Sequence, residues 1–76
     1  MTDLDVLRQQ IDTLDADLVR LLSDRAAVVK EVGRVKRGDG TPVYAPHRER
    51  AVLDRIRSLN PGPLSGRTLE AIWREL

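Results

Sequence analysis

Four charged side chains stand at positions where an amphipathic helix ordinarily carries none or uses them otherwise. Arg25 falls on an apolar seam, Lys36 follows eleven residues later, Glu49 continues the apolar face of a second helical segment, and Arg8 precedes Arg25 by seventeen residues. At about 100° per residue, Arg25 and Lys36 lie only about 20° apart around one helix, three turns apart along it. Two cations therefore line one face. Arginine grips a carboxylate through a bidentate fork, and an ionised glutamate accepts a hydroxyl proton. Gathered at one helical interface, two arginines, a lysine and a glutamate suit a small dicarboxylate that also bears a hydroxyl. Cysteine is absent, His47 is the single histidine, and no serine has a base or motif around it. A covalent nucleophile, a metal cluster and a cofactor are accordingly not expected. Catalysis by such a set would come from holding one substrate conformation and stabilising charge as it develops.

Each of these residues also has a purely structural reading. Arg25 can set the register of a helix pair, or carry its charge out to solvent on its long stem. Lys36 can satisfy the C-terminal end of a helix dipole, and Glu49 the N-terminal end of the next helix. Arg8 lies about 100° around the helix from Arg25 and some 25 Å away along the axis. It cannot join Arg25 and Lys36 in a small site of the same chain, and a surface ion pair is the ordinary fate of such a residue. Beside an antiparallel copy of the long helix, however, it would reach the partner's site. The Arg37-Gly38-Asp39 tripeptide reads as a turn after a helix, and Gly38 and Gly40 lack the strand and lysine of a phosphate loop.

The elements that must position these charges follow from hydrophobic spacing. Leu4, Leu7, Ile11, Leu14, Leu18, Leu21, Arg25, Val28, Val32 and Val35 recur at alternating steps of three and four, with Arg25 the one polar member. This heptad pattern predicts one helix over about residues 4–36, packed along its length against other helices. Thr2 and Asp5 form a capping box at its start, and Lys36 and Arg37 followed by Gly38 suit its end. Residues 38–46 carry turn chemistry, and Pro46 opens a second helix that reaches about Leu59 with Val52, Leu53, Ile56 and Leu59 on one face. Asn60-Pro61-Gly62-Pro63 breaks it. A third helix starts near Ser65, with Leu69, Ile72, Trp73 and Leu76 at helical spacing, and it reads as cut short within its pattern.

A chain of 76 residues holds one domain, residues 1–76, and with 41% hydrophobic residues and no disulfide it is marginal alone. A helix of about 33 residues is about 50 Å long, whereas a compact chain of this size is roughly 30 Å across. The two short helices cannot cover such a seam. The expected fold is all-α, a three-helix protomer with one long N-terminal helix, in an intertwined antiparallel homodimer. Net charge is +1 and only Trp73 and Tyr44 are aromatic, which argues against nucleic acid as a partner. No apolar run approaches the about 18 residues of a membrane span, and the acidic N-terminus is unlike a signal peptide, so a cytoplasmic location is expected.

Four ordered blocks resemble a known family, the all-helical chorismate mutases. They are Leu7 to Asp12 with Leu14-Asp15, Leu21 to Arg25, Glu31 to Lys36, and Pro42 to Arg50. The stretch from Tyr44 to Glu49 looks most like the mutase domain that begins bacterial fused chorismate mutase/prephenate dehydratase proteins, so a fused dehydratase domain is a possible partner. The resemblance implies the Claisen rearrangement of chorismate to prephenate, a step of phenylalanine and tyrosine biosynthesis. It further implies that Arg25 and Lys36 hold the substrate carboxylates, with Lys36 also near the ether oxygen. By the same resemblance Arg8 is donated by the second subunit, Glu49 holds the ring hydroxyl, and Arg48 is the basic residue beside it. Catalytic roles fall to Arg25, Lys36 and Glu49; Arg8 and Arg48 complete the binding set.

This chain departs from the family pattern in two places. Some members carry an acid where this chain has Ala45, and the family's third helix supplies further polar pocket residues beyond the position of Leu76. Isochorismate-pyruvate lyases share the fold but tend to have an apolar residue at the position of Glu49, which favours the mutase. A non-catalytic regulatory domain and a plain dimerisation hairpin are the remaining alternatives.

Overall fold

A computed structural model describes residues 2–39 and 46–76 of the chain. They form three helices, α1 (Asp3–Asp39), α2 (Pro46–Leu59) and α3 (Gly66–Arg74). The chain divides into two compact units, residues 1–39 and 40–76, and each has its own local logic.

The first unit is α1 alone. Its start is capped as the sequence predicts: Thr2 Oγ1 accepts from the Asp5 backbone N–H at 3.1 Å, and the Asp5 carboxylate accepts from the Thr2 hydroxyl at 2.9 Å. The first contact satisfies an amide that the first helical turn leaves without a backbone partner, and the second ties the two side chains of the cap together. The far end differs from the expectation, because the helix runs through Gly38 to Asp39. A single glycine costs a helix only about 1 kcal/mol, which does not end one supported by the long run of turns before it. The rest of the predicted turn, residues 40–45, lies outside the described residues. None of residues 3–38 of α1 is buried, and its nine apolar seam residues remain between 46% and 63% exposed.

The second unit is a helix pair, α2 against α3. Pro46 opens α2, as its fixed φ and missing N–H favour. Val52, Leu53 and Ile56 of α2 are half-buried, as are Leu69 and Trp73 of α3. Asn60 organises the link: its side-chain amide donates to the Leu64 carbonyl at 2.8 Å, and its side-chain carbonyl accepts from the Gly62 N–H at 2.9 Å. Gly62 has φ +77°, a conformation that L-residues with a Cβ rarely adopt. Ser65 caps α3 by accepting from the Thr68 N–H at 3.1 Å, and Glu75 closes the last turn by donating to the Ile72 carbonyl.

Candidate active site

Along α1, two of the three candidate cations differ from their surroundings. Within residues 2–38, only Arg25, Gly33 and Lys36 are half-buried, and every other residue is exposed. Lys36 ends an apolar strip made by Ala27, Val28, Val32 and Val35. Glu31 lines the same strip, with no ion pair to Lys36 among the described residues. Arg8, on the same helix, is exposed.

In the second unit, Arg48 and Glu49 are both exposed in the first turn of α2. Glu49 lines an open polar cleft of about 440 Å³ with Arg50, Leu53, Asp54 and Arg57 of α2 and Glu70 and Arg74 of α3. His47 beside them is exposed as well.

Charge pairing separates two groups of residues. Arg20 lies 3.9 Å from Asp17 and 4.0 Å from Asp24, Arg34 pairs with Glu31, and Arg57 and Arg74 pair with Glu70. Among the described residues, Arg8, Arg25, Lys36, Arg48 and Glu49 have no salt-bridge partner. The first group spends its charge on neighbouring carboxylates; the second shares its lack of a salt bridge with Lys30, Arg37, Arg50, Arg55 and Arg67.

One cluster lies outside the residues that the sequence singles out. Glu70 keeps only 13% of its side chain exposed and bridges the two helices of the second unit. Arg57 Nε donates to Glu70 Oε1 at 2.7 Å, Arg57 Nη2 donates to the same oxygen, and Arg74 Nη2 stands 3.8 Å from the other. The hydrogen bond from Arg57 to Glu70, followed by the Coulombic attraction between them, raises the guanidinium pKa above its usual value. The available signal was an acid at the margin of the Leu69–Trp73 face with an arginine four residues on.

Residues 7–76 match the sequence profile of the family Chorismate mutase type II. The chain belongs to the chorismate mutase type II family. Its relatives include the bifunctional chorismate mutase/prephenate dehydratase of Neisseria gonorrhoeae, 46% identical over 69 residues, which cover 91% of this chain and 18% of that protein. The protein of the same description from Aquifex aeolicus is 35% identical over 80 residues, covering 100% of this chain and 22% of the relative. The chain thus spans about a fifth of the length of these curated relatives. Among solved structures, a chorismate mutase of Thermus thermophilus superposes with a TM-score of 0.93 at 34% identity, covering 97% of this chain and 92% of that one. An all-α chorismate mutase fold follows from both comparisons. No described helix is long and apolar enough to cross a membrane.

Proposed function

We propose that residues 1–76 act as a chorismate mutase domain, converting chorismate to prephenate at a site shared between two copies of the chain. The observation that carries this reading is the pair of half-buried cations on one face of α1, Arg25 and Lys36, neither engaged by an acid among the described residues. Family membership supplies the reaction. The ether C–O bond of chorismate breaks as a C–C bond forms within the same molecule, so no group, proton or electron leaves it. The residues need only select the reactive conformer and meet charge as it builds. Arg25 and Lys36 hold the two carboxylates, Lys36 also faces the ether oxygen, and Glu49 accepts from the ring hydroxyl with Arg48 beside it.

The seam specifies how a second copy completes this site. Antiparallel pairing sets the two kinds of heptad seam position against each other. One register pairs all ten: Leu4 with the partner's Val35, Leu7 with Val32, Ile11 with Val28, Leu14 with Arg25 and Leu18 with Leu21. Covering what remains exposed of each Leu, Ile or Val stabilises by about 1 kcal/mol, and nine per chain remain to be covered. In this register Arg8 lies between the levels of the partner's Arg25 and Lys36, about 8–9 Å along the axis from each. Arg8 and Lys36 also occupy the same heptad position, which antiparallel pairing places on one flank. Three cations then converge where one dianion can bridge them.

Purified protein incubated with chorismate tests the reading by product identity. Prephenate supports the mutase. Unchanged chorismate together with salicylate formed from isochorismate supports the lyase, and no turnover by a folded dimer supports a regulatory or structural role. Replacing Glu49 sharpens the test. Glu49→Ala is expected to lower kcat/KM by about 10- to 100-fold, because a charged hydrogen bond to the hydroxyl is worth about 1.5–3 kcal/mol. Glu49→Gln, which retains an acceptor, is expected to lose less. Equal activity of Glu49→Ala and wild type would remove Glu49 from the site.

A further inference from the structure

Glu70 stands out because the proposed chemistry leaves it unused, and yet it is far more enclosed than the arginine it binds: 13% of its side chain is exposed against 61% for Arg57. A carboxylate is enclosed to that degree only where partners compensate its lost hydration. Two N–H groups of one guanidinium meet its Oε1, and Arg74 approaches its Oε2. Arg57 in turn lies 4.0 Å from Asp54 one turn back on α2. The result is an ionic clasp between the end of α2 and the body of α3.

The clasp bears on Glu49 through helix geometry. Glu49, Leu53 and Arg57 succeed one another at steps of four along α2 and line the same cleft as Glu70. Apolar packing holds α2 through only three half-buried side chains, Val52, Leu53 and Ile56, and such packing has no directional preference. A guanidinium that places two donors on one oxygen does have one, and it resists rotation of α2 about its axis. A helix rotates as a body, so a roll that moves Arg57 moves Glu49 with it. A roll of about 10° displaces a carboxylate about 6 Å from the axis by about 1 Å, and misplacements of that size can cost about 100-fold in rate.

We propose that Glu70 is a positioning residue, which by clasping Arg57 fixes the rotation of α2 and so aims the Glu49 carboxylate at the substrate hydroxyl. This inference rests on the mutase reading above. Its test is a double-mutant comparison in the full chain. Glu70→Ala is expected to lower kcat about tenfold with little change in KM, and Arg57→Ala to do the same. The double variant Arg57→Ala/Glu70→Ala is expected to be no worse than either, since the two act as one unit. In a Glu49→Ala background, Glu70→Ala is expected to cost nothing more, because the group it aims has gone. Glu70→Gln and Arg57→Lys, which keep a hydrogen bond across the helices, should recover part of the loss. They replace the alanine variants if circular dichroism or Trp73 fluorescence shows that those do not fold.

A merely structural Glu70 gives a different pattern. It would lower the unfolding temperature while leaving kcat of the folded protein unchanged, or would reduce activity by the same factor with and without Glu49. Either result overturns the inference and leaves the mutase reading standing. Absence of turnover in the wild type overturns the mutase reading and this inference with it.

Discussion

Lys36→Ala is expected to lower kcat/KM on chorismate by about 100- to 1000-fold, with most of the loss in kcat, while leaving the dimer and its helicity intact. The ether oxygen of chorismate is neutral in the ground state and gains negative charge as its C–O bond breaks. A fixed ammonium beside it is therefore worth more in the transition state than in the bound substrate, and only that difference accelerates the reaction. Removal of one preorganised donor to a developing oxyanion costs about 100- to 1000-fold in other enzymes. Two features of α1 favour that strength here. Lys36 is half-buried, so solvent screens it less than the exposed charges around it. Among the described residues it also has no carboxylate to neutralise it. Lys36→Arg keeps the charge but spreads it over a larger, planar group and should retain part of the activity. Steady-state kinetics with size-exclusion chromatography checks the result. A kcat for Lys36→Ala within twofold of wild type would remove Lys36 from the transition state.

The second large effect is recovery of activity from two inactive proteins. Arg8→Ala and Arg25→Ala are each expected to be nearly inactive, since each leaves a substrate carboxylate without its guanidinium. In the proposed register of the α1 seam Arg8 lies between the levels of the partner's Arg25 and Lys36, so the two variants would damage different contributions to one site. In a mixed dimer, one site combines the intact Arg25 of one chain with the intact Arg8 of the other, and the second site carries both defects. Random exchange makes about half the dimers mixed, each with one intact site of two, so activity should return to about a quarter of wild type. The measurement is activity against time after unfolding and refolding the variants together, with mixed dimers demonstrated by differently tagged chains. If demonstrated mixed dimers regain nothing, Arg8 does not act across the interface.

Much of the helical fold was legible in the sequence because it depends on periodicity and local chemistry. The unbroken step of three and four from Leu4 to Val35 defines α1, and the Thr2–Asp5 cap, the Pro46 start and the Ser65 cap each follow from one or two side chains. Arg25 and Lys36 were conspicuous as two cations on one helical face, and they are the half-buried charges of α1. The C-terminal end of α1 was harder to place. Gly38 looks like a stop signal, but ending a helix requires a favourable capping geometry as well as a weak helix former, and the helix continues to Asp39. The clasp between Arg57 and Glu70 was not legible at all. The two residues are thirteen apart, and their meeting depends on the path that Asn60, Gly62 and the flanking prolines impose on the link. Spacing along one element carries no information about that path. Of the five candidate residues, Arg8, Arg25 and Lys36 belong to the first unit and Arg48 and Glu49 to the second, and spacing along one element does not relate the two sets.

Catalysis of chorismate rearrangement at a site shared between two chains is tested by specific activity over a dilution series, with the product identified in the same samples. Prephenate is expected to form, with activity per chain falling in step with the dimer fraction as the protein dissociates. Prephenate formation at undiminished specific activity by the monomer, or no prephenate from a folded dimer, would contradict it.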